Sequence, residues 1–136
     1  MPITYTDSLD AVRADHLRGG FFDGWPDPPS PQTHLRILHG SAHVVLARTE
    51  SGQVIGFITA ISDGVLTAYI PLLEVLPAYR GQGVGAALVK RMLDKLHTRY
   101  MIDVVCDADV QPFYARFGFA PYTAAIRRNY DRQSGQ

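Results

Sequence analysis

The sequence has little of several features that identify common protein classes. Its 136 residues include a single cysteine, Cys106, so no internal disulfide can form, and nothing suggests secretion. No apolar run approaches the roughly 20 residues of a membrane-spanning helix. The N-terminal stretch MPITYTDSLD has no basic segment followed by an apolar core, as a signal peptide would. We therefore expect a soluble cytoplasmic protein without a membrane partner.

The chain also has no excess of charge. Its 13 Lys and Arg residues balance 13 Asp and Glu residues, and no basic block interrupts the sequence. Because nucleic-acid binding depends on neutralising phosphates with basic side chains, nucleic acid is not expected as the main partner.

Two groups of catalytic motifs are missing. No serine lies in a G-x-S-x-G pattern, so serine-based hydrolysis is unsupported. Cys106 has no cysteine partner, and no two histidines show the H-E-x-x-H spacing of a zinc site. The histidines are His16, His34, His39, His43 and His97. No metal is expected.

A hydrophobic fraction of 46% is enough to form a core, and the length suits one domain over residues 1–136. The N-terminal third predicts a short strand at 3–6 and a helix over 7–17. A proline-rich loop over 21–31 follows. Ser30-Pro31 is typical of a helix N-cap and first turn, and predicts a second helix that ends at Gly40.

The middle of the chain predicts an antiparallel meander. Aliphatic and β-branched residues fill the segments 43–49, 53–62 and 65–75, and Asp63-Gly64 between the last two is a hairpin signal. Pro71 cannot donate a ladder hydrogen bond, so we expect a bulge or a splayed edge there.

The C-terminal half predicts helix, strand, helix and strand. An amphipathic helix covers 83–98, a buried strand 101–106, a short helix 110–117 and a last strand 123–130. Together with the meander, this order predicts an α/β fold whose mixed, mostly antiparallel sheet is flanked by helices.

Three alternating glycines stand where the amphipathic helix begins. Gly81, Gly83 and Gly85 leave the free N–H groups of a first helical turn unobstructed, and Arg80 adds a positive charge beside them. A tight strand-to-helix turn would need fewer glycines, so this pattern favours a phosphate or pyrophosphate site.

The same glycines formally match the G-x-G-x-x-G/A pattern of dinucleotide-binding proteins, and Asp107 lies roughly 20 residues further on, as a ribose-binding acid would. The fold context disagrees, because 77–80 separate the strand from the first glycine and an antiparallel meander precedes it. No G-K-[ST] of a P-loop is present.

The arrangement R-G-Q-G-V-G at 80–85 resembles the acyl-CoA-binding motif of the GNAT superfamily of N-acyltransferases, [QR]-x-x-G-x-[GA]. The segment FYARFGF at 113–119 is similar to the family's Y-x-x-x-G-F block. The resemblance extends from about residue 3 to 130 and is specific over 73–119. It implies an acyl-CoA N-acyltransferase fold in which two central strands, 65–75 and 101–106, splay apart.

That resemblance implies acetyl-CoA as the cosubstrate and an amine, in a small molecule or a peptide, as the acceptor. The backbone of Leu73–Val75 would pair with the pantetheine arm, and the Val75 N–H would polarise the thioester carbonyl. The pyrophosphate would be held by Arg80, Gly81, Gln82, Gly83, Val84, Gly85 and Ala86. Asp107 stands near a family asparagine that contacts the arm, and its carboxylate puts that contact in doubt. Dimers are common in the family.

Acetyl transfer needs an acid and a base. Tyr114 matches the family tyrosine that protonates the departing thiolate; alternatively it packs in the core. Glu74 is a carboxylate in an apolar strand and either takes the proton of the amine or forms a surface ion pair. Asp63, Tyr69 and His34 are weaker candidates for the base.

The loop 21–31 predicts an aromatic border to an acceptor pocket, built from Phe21, Phe22 and Trp25. Asp23 and Asp27 could then attract a cationic amine. The alternative is that these aromatic side chains cover the core. A catalytically silent acyl-CoA-binding module of the same fold is the alternative function.

Overall fold

A computed structural model describes residues 2–136 and contains one six-stranded sheet. The strands are β1 (Thr4–Thr6), β2 (His43–Arg48), β3 (Val54–Ser62), β4 (Thr67–Ile70), β5 (Leu73–Val75) and β6 (Met101–Val104). The helices are α1 (Pro31–Gly40), α2 (Val84–Lys95) and α3 (Gln111–Ala115). The strand order is β1-β2-β3-β4-β6, and β5 pairs with β3. Only β4 and β6 pair in parallel, which confirms the predicted mixed, mostly antiparallel sheet.

The two longer helices lie on opposite faces of the sheet. The His34 ring of α1 is 4.4 Å from the Phe57 ring of β3, measured between centroids. Gly56, the preceding residue, faces α2, because a Cβ at Gly56 would lie 3.2 Å from Leu88. Since neighbouring strand residues point to opposite faces, α1 and α2 enclose β3 between them and form the two halves of the core.

The start of α1 is as predicted from the sequence. The Ser30 side chain accepts a hydrogen bond from the Thr33 N–H at 3.1 Å, and Pro31 occupies the first helical position. Both features favour a helix start at this residue, and the helix ends at Gly40 as expected.

The predicted third strand, 65–75, is interrupted at Pro71. Its first half is β4, which pairs with β3 and β6, and its second half is β5, which pairs only with β3. The splayed edge expected from Pro71 is therefore present. Beyond Ile70 and Val104 the two halves of the sheet separate, and the outer edge of β5 has no neighbouring strand among residues 2–136.

The predicted helix over 7–17 is wrong. Only Ala14–Leu17 forms a helical turn, of the 3-10 type. The hydroxyls of Thr6 and Ser8 accept hydrogen bonds from backbone N–H groups two residues later, at 3.1 and 3.2 Å. Such local bonds compete with a helix, although Leu17 is still buried.

The predicted strand over 123–130 is also wrong, because no strand of the described chain pairs with it, and all eight residues are exposed. The neighbouring prediction is right in part, because residues 101–104 form a strand, β6, but the expected burial is wrong. The segment 101–106 is not buried: Met101 and Val105 are exposed, and β6 ends the sheet. A strand needs a neighbouring strand for its hydrogen bonds and a packed element to bury its face, and the local sequence pattern shows neither.

The short helix predicted over 110–117 is present as α3, which covers Gln111–Ala115. A 3-10 turn over Ala108–Val110 leads into α3, and Gly118 ends the helical region with φ of 89°. None of the helices in residues 2–136 has the length and hydropathy that a bilayer crossing requires.

Candidate functional site

The inner edge of β5 is occupied by β3. Two backbone hydrogen bonds bracket the pairing: Leu76 N–H to Ile55 O at 2.8 Å and Thr59 N–H to Leu72 O at 3.0 Å. In an antiparallel pair the bonded residues alternate along each strand. On the β5 side, the residues that exchange hydrogen bonds with β3 are therefore the even-numbered ones.

The outer edge of β5 consequently carries backbone groups that no strand of the described chain pairs with. Glu74 lies opposite Phe57, at the hydrogen-bonded position between Leu72 and Leu76. The backbone N–H and C=O groups of Leu73 and Val75 therefore face away from β3. These groups face the side on which β4 pairs with β6 but β5 pairs with nothing. An extended ligand of the right length can add to this edge as a further strand would.

The glycine-rich start of α2 stands next to this edge. Gly81 and Gly83 have φ of 78° and 82°, which ordinary residues avoid, and a Cβ at either position would meet no atom within 4 Å. Gly83 is the N-cap of α2 and offers no side chain to the free N–H groups of Val84, Gly85 and Ala86. An uncapped helix start of this kind suits a phosphate group, and the phosphate site stays a prediction.

Arg80 links the two features. Its Nε donates to the Val75 carbonyl oxygen at 2.9 Å, and its side chain is exposed. The terminal nitrogens of the guanidinium remain free to bind an anion at the helix start. Gln82 is exposed in the same turn. Asp107 is exposed too, and its backbone carbonyl accepts from the Val110 N–H at 2.9 Å.

Glu74 lies on the α1 face of the sheet, because it stands opposite Phe57. Its Oε1 accepts a hydrogen bond from the Phe22 N–H at 2.9 Å. Burial raises the pKa of the Glu74 carboxyl above its usual value, and the Phe22 hydrogen bond and the Arg80 charge oppose that rise only in part. A half-buried carboxylate with a raised pKa suits a general base.

Tyr114 is 6% exposed and packs edge-on against Phe113 and Phe119, with ring centroids 5.1 and 5.5 Å away. Burial raises the pKa of its hydroxyl to about 12. The phenol is therefore a proton donor throughout the neutral range. Phe113 in turn approaches α2, because a Cβ on Gly85 would lie 3.6 Å from its ring.

The weaker base candidates are placed differently. The Asp63 carboxylate accepts three backbone N–H bonds, from residues 65–67, which lower its pKa and fix the hairpin turn. Tyr69 lies in β4 and lines a groove of about 780 Å³ beside β6. His34 is 1% exposed, and burial lowers the pKa of its imidazole to about 4. His34 is a neutral core residue.

The loop 21–31 covers the core more than it borders a pocket. Phe21 and Phe22 are 9% and 2% exposed and pack on His34 and Phe57, so the predicted exposed border is wrong for both rings. Trp25 alone is exposed, at 38%, with its ring 4.9 Å from that of Phe22.

The sequence reasoning missed the contact between Glu74 and Phe22. Phe22 has φ of 64°, a strained value for a residue with a side chain, and the carboxylate holds it there. Two buried polar atoms on the same face, His34 Nε2 and Thr59 Oγ1, have no hydrogen-bond partner within the described chain. No sequence motif predicts either feature, because both depend on residues that lie far apart in the chain.

Comparison with known proteins identifies relatives of this chain. The model of the acetyltransferase (GNAT) family matches residues 11–119. A protein from Deinococcus radiodurans R1 assigned as an acetyltransferase is 50% identical and superposes with a TM-score of 0.94, over 97% of this chain and 92% of that one. A GNAT-family acetyltransferase from Streptococcus pneumoniae TIGR4 is 25% identical, with a TM-score of 0.76 over 94% and 98% of the chains.

Among curated relatives, GCN5-related N-acetyltransferase 3 of Arabidopsis thaliana is 39% identical over 71 residues, 51% of this chain and 30% of that protein. N-alpha-acetyltransferase 30 of Schizosaccharomyces pombe is 26% identical, over 74% of this chain and 73% of that protein. The chain thus spans about a third of the first of these and most of the second. With the family model matching most of its length, the chain belongs to the acetyltransferase (GNAT) family.

Proposed function

We propose that this protein transfers an acetyl group from acetyl-CoA to an amine. The observation that carries the proposal is the outer edge of β5, which no strand of the described chain pairs with and which leads to the uncapped, glycine-lined start of α2. An extended arm followed by a pyrophosphate has the shape and charge for that pair of features. The family supports the same reaction class.

In the proposed mechanism acetyl-CoA supplies the activated acetyl group. The backbone of Leu73 and Val75 aligns the arm, and the Val75 N–H donates to the carbonyl oxygen on which negative charge develops. Glu74 accepts the proton of the attacking amine, directly or through a water molecule. The Tyr114 hydroxyl donates to the departing thiolate sulfur.

The donor site is tested by calorimetry with acetyl-CoA, using NADH as the control ligand. We expect micromolar binding of acetyl-CoA and no heat with NADH. Arg80→Gln removes the charge beside the helix start and should weaken acetyl-CoA binding about tenfold. Arg36→Gln removes an exposed arginine from α1 and should change nothing. Equal affinities for NADH and acetyl-CoA would contradict the proposed donor.

The acid is tested with Tyr114→Phe. A phenol with a pKa of about 12 is a weak acid beside a thiol, so we expect it to contribute one hydrogen bond rather than complete proton transfer. The variant should lower kcat about tenfold, the value of one hydrogen bond, and leave acetyl-CoA binding unchanged. Parallel losses in kcat and in binding would assign Tyr114 to packing alone.

The alternative is a catalytically silent acyl-CoA-binding module. Both functions predict acetyl-CoA binding, so product formation discriminates between them. Incubation with radiolabelled acetyl-CoA and a panel of small amines and N-terminal peptides should yield labelled product if the transferase proposal holds. Thiol release without labelled product would leave only slow hydrolysis. The acceptor within that panel and the cytoplasmic location remain predictions from the sequence.

A further inference from the structure

Arg116, the residue after helix α3, holds its guanidinium over two neighbouring aromatic rings. The guanidinium carbon lies 5.7 Å from the centroid of the Phe113 ring and 5.5 Å from that of the Phe117 ring. The two rings are themselves 5.3 Å apart and meet edge to face. Attraction between a cation and aromatic rings restricts a side chain that is otherwise exposed, as that of Arg116 is. The positive charge of Arg116 is therefore held in one place.

The guanidinium of Arg116 has no partner of opposite charge in residues 2–136. The ion pairs in this part of the chain join Arg18 to Asp15 and Lys95 to Asp7. Arginine side chains donate hydrogen bonds at positions 18, 48, 80, 99 and 128 of the described chain, and Arg116 is not among them. An arginine that is fixed by rings and keeps its N–H donors for a ligand is suited to binding a phosphate group.

The Phe113 ring connects this charge to the start of α2. A Cβ on Gly85 would lie 3.6 Å from the Phe113 ring and 3.8 Å from the Val75 side chain. Gly85 belongs to the first turn of α2, whose free N–H groups form the proposed pyrophosphate site. A single aromatic ring therefore separates the Arg116 guanidinium from the backbone that would bind the pyrophosphate.

Acetyl-CoA, the donor in the proposed function, carries a second anionic group close to its pyrophosphate. This group is the 3′-phosphate of the ribose to which the pyrophosphate is attached. A phosphate monoester carries about two negative charges at neutral pH. The start of α2 and Arg80 supply donors for the pyrophosphate, and they leave the 3′-phosphate without a partner of its own.

We propose that Arg116 binds the 3′-phosphate of acyl-CoA, so that the protein selects CoA thioesters over their 3′-dephospho forms. This role rests on the proposed donor site, to which it adds a residue and a selectivity. Arg80 and Arg116 belong to different elements, the turn before α2 and the end of α3. Each would supply one fixed charge to one of the two anionic groups of the ligand.

An exposed arginine beside a nucleotide can also stack on the adenine ring. Phosphate binding is favoured here because it satisfies the N–H donors of Arg116, whereas stacking leaves them to water. Both contacts attract acetyl-CoA, but only one depends on the 3′-phosphate. The ligand 3′-dephospho-acetyl-CoA keeps the adenine, the pyrophosphate and the acetyl group, and it lacks only the group that Arg116 would bind.

Calorimetry of the full chain with acetyl-CoA and with 3′-dephospho-acetyl-CoA tests this role. We expect the natural sequence to bind acetyl-CoA about tenfold more tightly, the value of one charge-assisted contact. In Arg116→Gln the two affinities should agree within about twofold, because the change weakens only acetyl-CoA binding. Equal weakening of both ligands would overturn the proposal in favour of adenine stacking or general charge attraction.

Three further variants sharpen the result. Arg116→Lys keeps the charge but not the planar fork, so it should keep part of the preference for acetyl-CoA. Arg80→Gln should weaken both ligands alike and leave their ratio unchanged. Arg36→Gln, at an exposed position of α1, should change neither affinity. A ratio that changes as much in Arg80→Gln as in Arg116→Gln would overturn the proposal. Because Arg116 is exposed, its variants should keep the fold, which circular dichroism checks.

Failure of this role and failure of the proposed function give different results in the same titrations. If the natural sequence binds both ligands with equal affinity, the donor site is right and the selectivity assigned to Arg116 is wrong. If it binds neither ligand, the proposed donor site is wrong, and the role of Arg116 is wrong with it.

Discussion

Glu74→Gln is expected to lower kcat about 100-fold, the usual contribution of a general base. The amide cannot accept the proton of the amine, but its carbonyl oxygen can still accept the Phe22 N–H bond that Glu74 Oε1 accepts now. Loop and fold should therefore survive the change, and the loss should fall on kcat and not on acetyl-CoA binding. Steady-state kinetics with calorimetry measure both quantities.

A second substitution at the same position separates chemistry from architecture. Glu74→Ala removes the base and the acceptor of Phe22 together. If Glu74 is the base, the two variants should lose similar activity, and only Glu74→Ala should lose stability. If Glu74→Gln keeps nearly full activity while Glu74→Ala does not, Glu74 only positions the loop. Glu50→Gln, in the exposed turn between β2 and β3, is the matched control.

The pH profile provides an independent readout. A base works when deprotonated, and burial raises the pKa of the Glu74 carboxyl above its usual value. The activity of the natural sequence should therefore rise with pH through that raised pKa and then level off. Glu74→Gln should lack this acid limb. If the rise of activity with pH persists in Glu74→Gln, the titrating group is not Glu74.

The second large effect concerns stability and His34. Burial lowers the pKa of this imidazole to about 4, from an ordinary 6.5, so the unfolded chain binds the proton first as pH falls. The stability that the neutral His34 contributes is fully present at pH values above the ordinary pKa. It is lost as the pH falls from the ordinary pKa to the lowered pKa. Over that window we expect the free energy of unfolding to fall by about 3 kcal/mol because of His34 alone.

Urea denaturation at about pH 7 and about pH 4 measures this fall. His34→Gln cannot take the proton, so the difference between its stabilities at the two pH values should be smaller by about 3 kcal/mol. His39→Gln, at an exposed position on the same helix, should keep the full difference. The aromatic rings packed on His34 belong to Phe21, Phe22 and Phe57, none of which titrates. An unchanged pH difference in His34→Gln would contradict the assignment.

The parts of the fold that local chemistry determines were predictable. Ser30 and Pro31 specify a helix start through a side-chain bond and a fixed φ, and the structure places both as expected. Pro71 interrupts its strand because it has no N–H to donate, whatever surrounds it. Gly81 and Gly83 have the positive φ that only glycine adopts easily, so the helix start could be located from sequence.

The parts that depend on distant residues were not predictable. The segment 123–130 has a strand's composition, but its ladder needs an edge that a sequence does not show. The sequence allows Phe22 either to border a pocket or to cover the core, and it does not show that the Phe22 N–H donates to Glu74, which lies in another element. The residues of the proposed donor site are nearly consecutive, so a sequence motif is enough to predict them, and their role stays a prediction. No motif of consecutive residues indicates where the acceptor binds.

The hydrogen bond between Glu74 and Phe22 has a further consequence. A carboxylate is a stronger acceptor than a carboxylic acid, so each proton taken up by Glu74 weakens the contact that keeps Phe22 at φ of 64°. Protonation of Glu74 and relaxation of the loop at Phe22 are therefore thermodynamically linked, and each favours the other. If Glu74 is the proposed base, the proton that it takes from the amine also loosens this loop, and release of that proton restores the contact.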